Sequence, residues 1–484
     1  MNRQHPRGPV LLYSLVGFAS LMAAVAFIYL SAAISDVVAL AIVIGFPFII
    51  AVLSNKRLSV ICLAIVFPIS STYLLPSKIG NVSGLNVLNC MILVTVFGLA
   101  LHILAHPRSA RFPGISMALI SFILLIVIAG MRGAASVGDI PGYYVDLNVI
   151  SSKSPVEYAQ VYILKPLTMI FVSIIFGLFV ANCAGEKAIL GGAIFSGLIL
   201  SFSIFSYAIT SDLPLRVLAS QESRRYLSGL GMHANELGLM LNCLLSMLLM
   251  GFARARGRSK VGLGLLSGTI LIAVVLTFSR GAYLGVIVVA CYVLYSSGRK
   301  LVAFVLPALV FITFLLVPAS VDRSGGGQAE ISPETLSSGR LSEIWEPLLP
   351  ELGSNFIFGG GAGYIMWSDA AKHERILPVG HPHSAYLGAI LDLGVVGFVV
   401  VAIFWRHVWR NFRDYRLNPR GGALSPFLEG AAGSVLVLLV QGFTDDSFLP
   451  TRSQVFVWIA YGLALGLRTA AIDRTDITRR REQR

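Results

Sequence analysis

Long apolar stretches recur along the whole chain and alternate with shorter polar segments. Most of them reach the roughly 18–20 residues that a helix needs to cross the hydrocarbon layer of a bilayer. We therefore predict an all-α, polytopic membrane bundle with fourteen transmembrane helices, forming a single domain over residues 1–484. Short stretches such as 282–297 can be tilted or half-inserted, so twelve is the alternative count. The predicted spans are 10–31, 34–53, 58–75, 85–105, 113–131, 164–184, 188–210, 235–252, 261–278, 282–297, 301–319, 384–405, 423–441 and 453–467.

The composition agrees with this prediction. Hydrophobic residues make up 56% of the chain and charged residues only 13%, whereas about a quarter of the residues in soluble domains are charged. The first apolar run, Val10 to Ser31, is too long for the core of a cleaved signal peptide. We interpret it as the first span, and a cleaved signal peptide is the alternative.

The net charge of +13 is unevenly distributed between the two sides of the predicted bundle. If the basic tail with Arg3 and Arg7 is inside, the inside segments hold 24 of the 37 Lys and Arg residues. About 18 of the 24 Asp and Glu residues then lie outside. An excess of Lys and Arg in inside loops is the positive-inside signature of membrane proteins. It predicts that both termini are cytoplasmic, and it explains the basic excess without a nucleic-acid partner.

Three outside segments are longer than ordinary connections, namely 132–163, 211–233 and 320–383. The third is the large outside loop, and we expect it to carry short helices. Five of its apolar residues recur at helical spacing: Leu341, Ile344, Trp345, Leu348 and Leu349. This pattern predicts an amphipathic helix that lies on the membrane surface. A long, organised loop in a compact membrane protein usually has a function.

Arg280 is the first candidate for chemistry. It lies in Ser279-Arg280-Gly281, a tight outside turn between two predicted spans, at or just inside the apolar boundary. A charged side chain at this depth is costly without a partner, so such residues are candidates for function. The alternative is that Arg280 snorkels to lipid headgroups, but the short turn leaves it little freedom to do so.

Further arginines are predicted on the same outside surface, where arginine is under-represented: Arg224, Arg225, Arg340 and Arg452. Each of them alone could be a solvated loop residue. Guanidinium groups remain charged and bind phosphate in a bidentate manner, so a cluster of them suits a lipid diphosphate headgroup. We expect membrane lipid headgroups of this kind to be the ligand of the cluster.

Acidic residues on this side have two interpretations. Glu236 and Asp392, each near the outer end of a span, are expected to pair with the arginines. Asp445 and Asp446 could act as a base or contact a substrate hydroxyl, or they could neutralise Arg452 or Arg280. We favour the structural role.

His381-Pro382-His383 lies where the large loop re-enters the membrane. An imidazole can accept a proton near neutral pH and pass it on, which is what activation of a sugar hydroxyl requires. A hydrogen-bonded structural histidine is the alternative. A metal site with His373 is a further alternative, but no HExxH spacing is present, and the five cysteines form no CxxC pair. We therefore expect neither a metal nor a cofactor.

Taken in order, these elements resemble the O-antigen ligase and polymerase superfamily of bacterial inner-membrane proteins. The motifs that match lie within residues 220–465: Gly229 to Gly238 with Asn235, Ser279-Arg280-Gly281, Ser338-Gly339-Arg340 with Trp345, Phe358-Gly-Gly-Gly361, His383-Ser-Ala-Tyr-Leu387 and Leu393-Gly-Val-Val-Gly397. Their order, spacing and common side make the resemblance more specific than any single motif. The family commonly has Asn after the histidine, whereas this chain has Ser384.

The resemblance implies an inverting, metal-independent glycosyltransferase that acts at the periplasmic face during surface polysaccharide assembly. Its donor would be a glycan linked to undecaprenyl diphosphate, and its acceptor a hydroxyl group of a glycan or of the lipid A core. By motif, Arg280 would hold the diphosphate and His383 would orient or deprotonate the acceptor hydroxyl. The remaining residues predicted to bind substrate are Arg224, Arg225, Arg340, Asn235, His381 and Arg452.

Other functions remain open at this point. A ligase attaches finished glycan to the lipid A core and a polymerase extends the lipid-linked chain, and these residues do not distinguish the two. A transporter or flippase of lipid-linked oligosaccharide is the alternative from another class. That alternative predicts polar groups near the bilayer midplane and broken helices in both halves, whereas here the polar candidates gather at one surface. A non-enzymatic scaffold is the third possibility.

Overall fold

The computed structural model describes residues 55–76, 78–79, 84–150, 152–211, 227, 229–298, 339–417, 422–444 and 447–482. The predicted spans 10–31, 34–53 and 301–319 lie outside the described residues, as do Arg224, Arg225, Asp445 and Asp446. In the described part of the chain, the helices of 14 residues or more are α1 Lys56–Ile69, α2 Val87–Ala105, α3 Met117–Ser136, α4 Lys165–Cys183, α5 Glu186–Thr210, α6 Ala234–Arg254, α7 Gly257–Leu276, α8 Arg280–Ser296, α9 Ala385–Leu417, α10 Ser425–Gln441 and α11 Val455–Glu482.

Most of these helices can cross a membrane. Among the described residues, nine helical segments are long and apolar enough to do so, and α8 is a shorter apolar helix. The prediction of an all-α, polytopic membrane bundle is therefore confirmed. The count of fourteen stays a prediction, because three of the predicted spans fall outside the described ranges.

Polar side chains fix where several helices begin. The Asn86 side chain accepts a hydrogen bond from the Asn89 N–H (2.8 Å), and Ser279 Oγ accepts one from the Ala282 N–H (3.1 Å). Such caps satisfy N–H groups that the first turn of a helix leaves without partners. Because Ser279 caps α8 only three residues after the end of α7, Arg280 is held at the first position of α8.

The pair of α6 and α10 forms the centre of the bundle. The Ser246 hydroxyl donates to the Gly430 carbonyl, and the Ser434 hydroxyl donates to the Cys243 carbonyl, both at 2.7 Å. A Cβ atom on Gly430 would lie 2.6 Å from the Ser246 carbonyl oxygen, so the close approach requires glycine there. Membrane helices associate through small residues and interhelical hydrogen bonds of this kind. The ends of α6 and α10 are therefore fixed with respect to each other.

The two ends of the bundle differ in character. The end that we call the basic end comprises 55–57, 106–111, 254–260 and 406–416. At this end the buried Glu429 carboxylate lies 3.4 Å from Arg254 and 3.7 Å from Arg416. The end that we call the loop end comprises 137–150, 152–154, 229–233, 339–384, 442–444 and 447–454. Among the described residues, the segments predicted to be inside thus share one end of the bundle, and those predicted to be outside share the other.

The loops of the loop end pack against one another in a second hydrophobic cluster. It includes Val137, Ile140, Tyr144, Ile344, Leu348 and Met366. Residues 341–345 form a π-helical turn followed by the short helix Glu346–Leu348, and Ile344 and Leu348 are buried. The prediction that this apolar face lies on the membrane surface is wrong for Ile344 and Leu348, which share one hydrophobic cluster with residues of the loop after α3. Leu349 is 55% exposed. Periodicity alone does not identify the protein partner of the two buried residues.

The buried carboxylate of Glu351 joins parts of the same loop region through hydrogen bonds. Glu351 accepts hydrogen bonds from the Tyr364 hydroxyl (2.7 Å) and the Ala370 N–H (2.9 Å). Burial, together with the Glu351 carboxylate, raises the pKa of the Tyr364 phenol above its ordinary value. Tyr364 therefore remains a neutral donor at physiological pH, and these hydrogen bonds join residues 351, 364 and 370 within the described part of the large loop.

Candidate functional site

The segments that carry the main candidates meet at one turn. We call residues 441–444, which begin with the last residue of α10, the 441–444 turn. Gln441 Nε2 donates to the Gly281 carbonyl (2.7 Å), next to Arg280. The Ala385 N–H donates to the Gly442 carbonyl (2.7 Å), two residues after His383. The Arg340 guanidinium donates to the Thr444 carbonyl. The structure thus brings three distant segments of the sequence together at the loop end.

Arg280 is half-buried at the N-terminus of α8. The partial positive charge of a helix N-terminus favours anions, and the arginine adds a full charge at the same place. The Ser279 hydroxyl donates to the Asn235 side-chain oxygen, which joins the start of α8 to the start of α6. Asn235 therefore orients the turn that carries Arg280, and its predicted contact with substrate stays a prediction.

His381 and His383 lie side by side, with ring centroids 4.3 Å apart. His383 is half-buried, and its backbone φ of 52° is in the left-handed region. Trp345 Nε1 donates to the Pro382 carbonyl between them (2.8 Å). Non-glycine residues with positive φ are uncommon and concentrate at functional sites. The indole therefore helps to hold the His381-Pro382-His383 segment in a strained conformation above the start of α9.

Ser384 stands where the family commonly has Asn, and its hydrogen bond shows how serine fits at this position. Its hydroxyl oxygen accepts a hydrogen bond from the Leu387 N–H (3.4 Å) at the start of α9. Ser and Asn are both favoured at the N-cap, the position just before a helix, because each offers a short side-chain acceptor. The serine therefore performs the capping role that an asparagine could perform there, and the histidine remains in place before the helix.

Arg340 and Trp345 act from the same short segment. Arg340 precedes the π-helical turn Leu341–Trp345 and contacts the 441–444 turn, whereas Trp345 contacts Pro382. This part of the large loop therefore bridges two sides of the candidate site. Arg340 was weak as a sequence candidate, since a lone loop arginine is normally solvated. The contact with Thr444 places Arg340 at the candidate site and supports its prediction as a binding residue.

Arg452 has a different environment. Its Nε and Nη2 atoms donate to the two Glu236 carboxylate oxygens (3.1 and 2.8 Å), and Nη1 donates to the Gly231 carbonyl (2.8 Å). The expected pairing of Glu236 with an arginine is thus present. Because its donors are directed at Glu236 and Gly231, we favour a structural role for Arg452 over the predicted contact with substrate. Arg224 and Arg225 lie outside the described residues.

Within the described part of the chain, the Asp392 carboxylate is paired with backbone amides and not with an arginine. Its carboxylate accepts the N–H groups of Gly363 (2.9 Å) and Tyr364 (3.0 Å). In the Phe358-Gly-Gly-Gly361 motif, the Gly360 and Gly361 N–H groups donate to the carbonyls of Leu391 and Asp392. These amides are therefore already paired within the protein. The motif packs the loop against α9 and is not a phosphate cradle.

Two positively charged side chains near the loop end were not predicted as candidates from the sequence. Arg132 donates to the carbonyls of Phe358 (2.6 Å) and Gly359 (2.7 Å). Lys165 is the first residue of α4 and follows the π-helical turn Gln160–Leu164. A lysine within an apolar stretch is itself a signal of function, and it could have identified Lys165. Arg132 begins the outside segment 132–163, so its side of the membrane could have identified it, but its partners are 226 and 227 residues away and could not be predicted.

The described residues contain no candidate set of metal ligands. No group of three or more His, Cys, Asp or Glu residues there is arranged to hold a metal ion. His373, which the metal alternative required, lies 3.1 Å from Asp369, and that carboxylate also pairs with Arg375. These residues form an exposed ion-pair cluster on the large loop.

Together, these features define a polytopic helical membrane protein whose polar candidates meet at one end of the bundle. Residues 265–402 match the family model described as O-antigen ligase. This match confirms the predicted relation to the O-antigen ligase superfamily and supports a membrane enzyme that transfers glycans in surface polysaccharide biosynthesis. The matched region includes Arg280, Arg340 and His383. A comparison with the curated proteins found no match.

Proposed function

We propose that this protein transfers a glycan from undecaprenyl diphosphate to an acceptor hydroxyl at the periplasmic face of the bacterial inner membrane. The observation that carries the proposal is the meeting of the Arg280, Arg340 and His383 segments at the 441–444 turn. Guanidinium groups and an imidazole at one membrane boundary suit a reaction in which a diphosphate leaves and an alcohol attacks.

In the proposed reaction, the acceptor oxygen forms a bond to the anomeric carbon while the bond from that carbon to the diphosphate oxygen breaks. Negative charge grows on the departing diphosphate, and Arg280 and Arg340 stabilise it. The proton of the acceptor hydroxyl passes to the His383 imidazole. Attack opposite the leaving group inverts the anomeric centre. Since the arginines supply the positive charge, we propose that the reaction needs no metal.

The position of Arg280 supports this role. The side chain adds its charge to the positive end of the α8 dipole, so both favour an anion at the same place. Gln441 and Asn235 anchor the residues on either side of it. A preorganised cation of this kind stabilises a leaving group without having to reorganise during the reaction.

The variants Arg280→Ala and His383→Ala test the proposal directly. With purified protein in lipid vesicles, we expect the first to lower the rate of glycan transfer by about 10²–10³-fold and the second by about 10²–10⁴-fold. Arg375→Ala is the matched control, because Arg375 is on the same loop and pairs with the exposed Asp369. Normal transfer by both site variants would rule out the proposal.

A deletion strain distinguishes the two reactions within this class. A polymerase deletion leaves a single glycan repeat on the product, whereas a ligase deletion leaves intact polymer on its lipid carrier. Movement of lipid-linked glycan across proteoliposomes that contain no acceptor would instead favour a transporter.

A further inference from the structure

Three consecutive large apolar side chains project from the large loop. Phe356, Ile357 and Phe358 follow the short helix Glu351–Asn355, and they are 54%, 59% and 66% exposed. Contiguous exposed apolar residues are rare on surfaces that face water, and they mark contact with a protein or a membrane. We call residues 356–358 the apolar tip.

The backbone of the tip is inserted into a break in α9. Gly394 has φ 67° and ψ −178°, which interrupts the helix. In an unbroken helix, the N–H groups of Val395 and Val396 would donate to the carbonyls four residues earlier. Here they donate to the carbonyls of Phe356 (2.8 Å) and Ile357 (3.2 Å) instead.

The opposite side of the break is repaired in the same way. The carbonyls of Leu391 and Asp392, which lose their helical donors, accept the N–H groups of Gly360 (2.8 Å) and Gly361 (2.9 Å). Non-helical backbone is tolerated at membrane depth only when its polar groups are satisfied. Segment 356–361 meets this condition, because it completes the interrupted hydrogen bonds of α9.

The hydrogen bonds also fix the depth of the tip. Ile357 is bonded to Val396, which belongs to a helix that is long and apolar enough to cross a membrane. Val396 and Val399 are 49% and 48% exposed on this helix. On a membrane span, exposed apolar side chains face lipid. The tip therefore lies at a depth where the neighbouring helix is in contact with lipid.

Arg132 marks the upper limit of this region. Its guanidinium, at the loop end of α3, donates to the carbonyls of Phe358 and Gly359. Arginine at a membrane boundary keeps its head at the interface while its apolar stem lies along the hydrocarbon layer. The tip thus lies at the level of the interface, with its side chains pointing away from the protein.

We propose that Phe356, Ile357 and Phe358 form a membrane anchor whose partner is the acyl-chain layer of the leaflet at the loop end. The segment from Arg340 to the apolar tip would then be held at both ends. Arg340 contacts the 441–444 turn at one end, and the tip contacts the bilayer at the other. It replaces the membrane contact that periodicity had assigned to residues 341–349. The proposal concerns the lipid contact alone and is independent of the proposed enzymatic reaction.

Depth measurement on the full-length protein tests the anchor. Ile357→Cys is labelled with an environment-sensitive fluorophore and reconstituted in phosphatidylethanolamine and phosphatidylglycerol vesicles. Lys372→Cys, on the exposed surface of the same loop, is the control. Wild-type protein carried through the labelling corrects for its five native cysteines. We expect lipids with a spin label on the acyl chain to quench the probe at position 357, and aqueous iodide to quench the probe at position 372.

Two results would overturn the proposal. Quenching of the 357 probe by iodide would place the tip in water. Lack of quenching by either agent would indicate that protein, such as a second copy of this chain, covers the tip. Phe358→Cys is the second labelled variant, in case the first does not fold. Both side chains are more than half exposed, so neither substitution removes much packing.

Discussion

At the scale of single residues, the arginines of the loop end are distinguished by what their guanidinium groups contact. Arg452 is bidentate to Glu236 and reaches a backbone carbonyl, whereas Arg280 begins α8 and Arg340 contacts the 441–444 turn. Residue type and sidedness made all three candidates for binding phosphate, with Arg280 the strongest of them. The geometry separates one structural ion pair from two residues that we propose to hold a diphosphate.

A double-mutant cycle tests the structural role of Arg452. We expect Arg452→Met and Glu236→Gln each to lower the free energy of unfolding, with a coupling energy of about 1 kcal/mol, because the pair is only partly buried. Thermal unfolding in detergent gives the stability of each variant. If Arg452 acts only through Glu236, the double variant will transfer glycan as well as Glu236→Gln alone. A further loss of transfer in the double variant would indicate contact with substrate.

His383 combines a left-handed backbone with a chemically useful side chain. Asparagine tolerates positive φ better than most residues, so His383→Asn keeps the conformation and removes the proton acceptor. We expect an unchanged melting temperature and a transfer rate lowered by about 10²–10⁴-fold. Thermal unfolding measures the melting temperature, and the vesicle transfer assay measures the rate. A variant that retains its rate would show that the imidazole has no chemical role.

At the scale of elements, α9 depends on a partner that is not a helix. A Cβ atom at Gly394 would lie 2.3 Å from the Ile357 carbonyl oxygen, and one at Gly359 would lie 2.3 Å from the Asp392 carbonyl oxygen. Both glycines also have positive φ. The hydrogen bonds across the break therefore require glycine on each side, and the Leu393-Gly-Val-Val-Gly397 motif is explained by packing rather than by chemistry.

Gly394→Ala tests this explanation. We expect it to lower the free energy of unfolding by about 2–4 kcal/mol, through the left-handed backbone and the steric clash. Gly268→Ala in α7 is the matched control, because its Cβ would meet nothing within 4 Å and the residue is helical. That control should be neutral or slightly stabilising. Equal melting temperatures for the two variants would refute the role of Gly394.

At the scale of the whole molecule, helix alternation gathers the basic segments at one end and the candidate site at the other. The positive-inside rule predicts that the basic end is cytoplasmic and the loop end periplasmic. This orientation agrees with a reaction at the periplasmic face. It also keeps the donor diphosphate of the proposed reaction at the level of the outer leaflet, where Arg280 and Arg340 can reach it.

Labelling of intact cells tests the orientation. A membrane-impermeant maleimide should label Lys372→Cys, on the large loop, and should label Ser259→Cys, at the basic end, only after the cells are opened. Both positions are exposed, so accessibility reports the side of the membrane and not burial. The reverse labelling pattern would invert the bundle and contradict the proposed periplasmic site.

The sequence by itself determined the features that depend on short stretches of chain. Continuous apolar runs specified the helical membrane bundle, since hydropathy acts on each span separately. Arg280, Arg340 and His383 were identified as candidates because charged and polar side chains are costly near the hydrocarbon layer. Glu236 was correctly expected to pair with an arginine, since both residues were assigned to the same boundary.

Only the tertiary structure decided which distant groups meet. Gln441 donates to a carbonyl 160 residues away, and Arg132 to one 226 residues away. Periodicity shows that residues 341–349 have an apolar face, but it does not show whether lipid or protein covers that face. Ile344 and Leu348 are buried in a cluster with residues of the loop after α3, and the apolar tip was left exposed. Pairings of this kind depend on how helices and loops pack in three dimensions, and no local pattern records them.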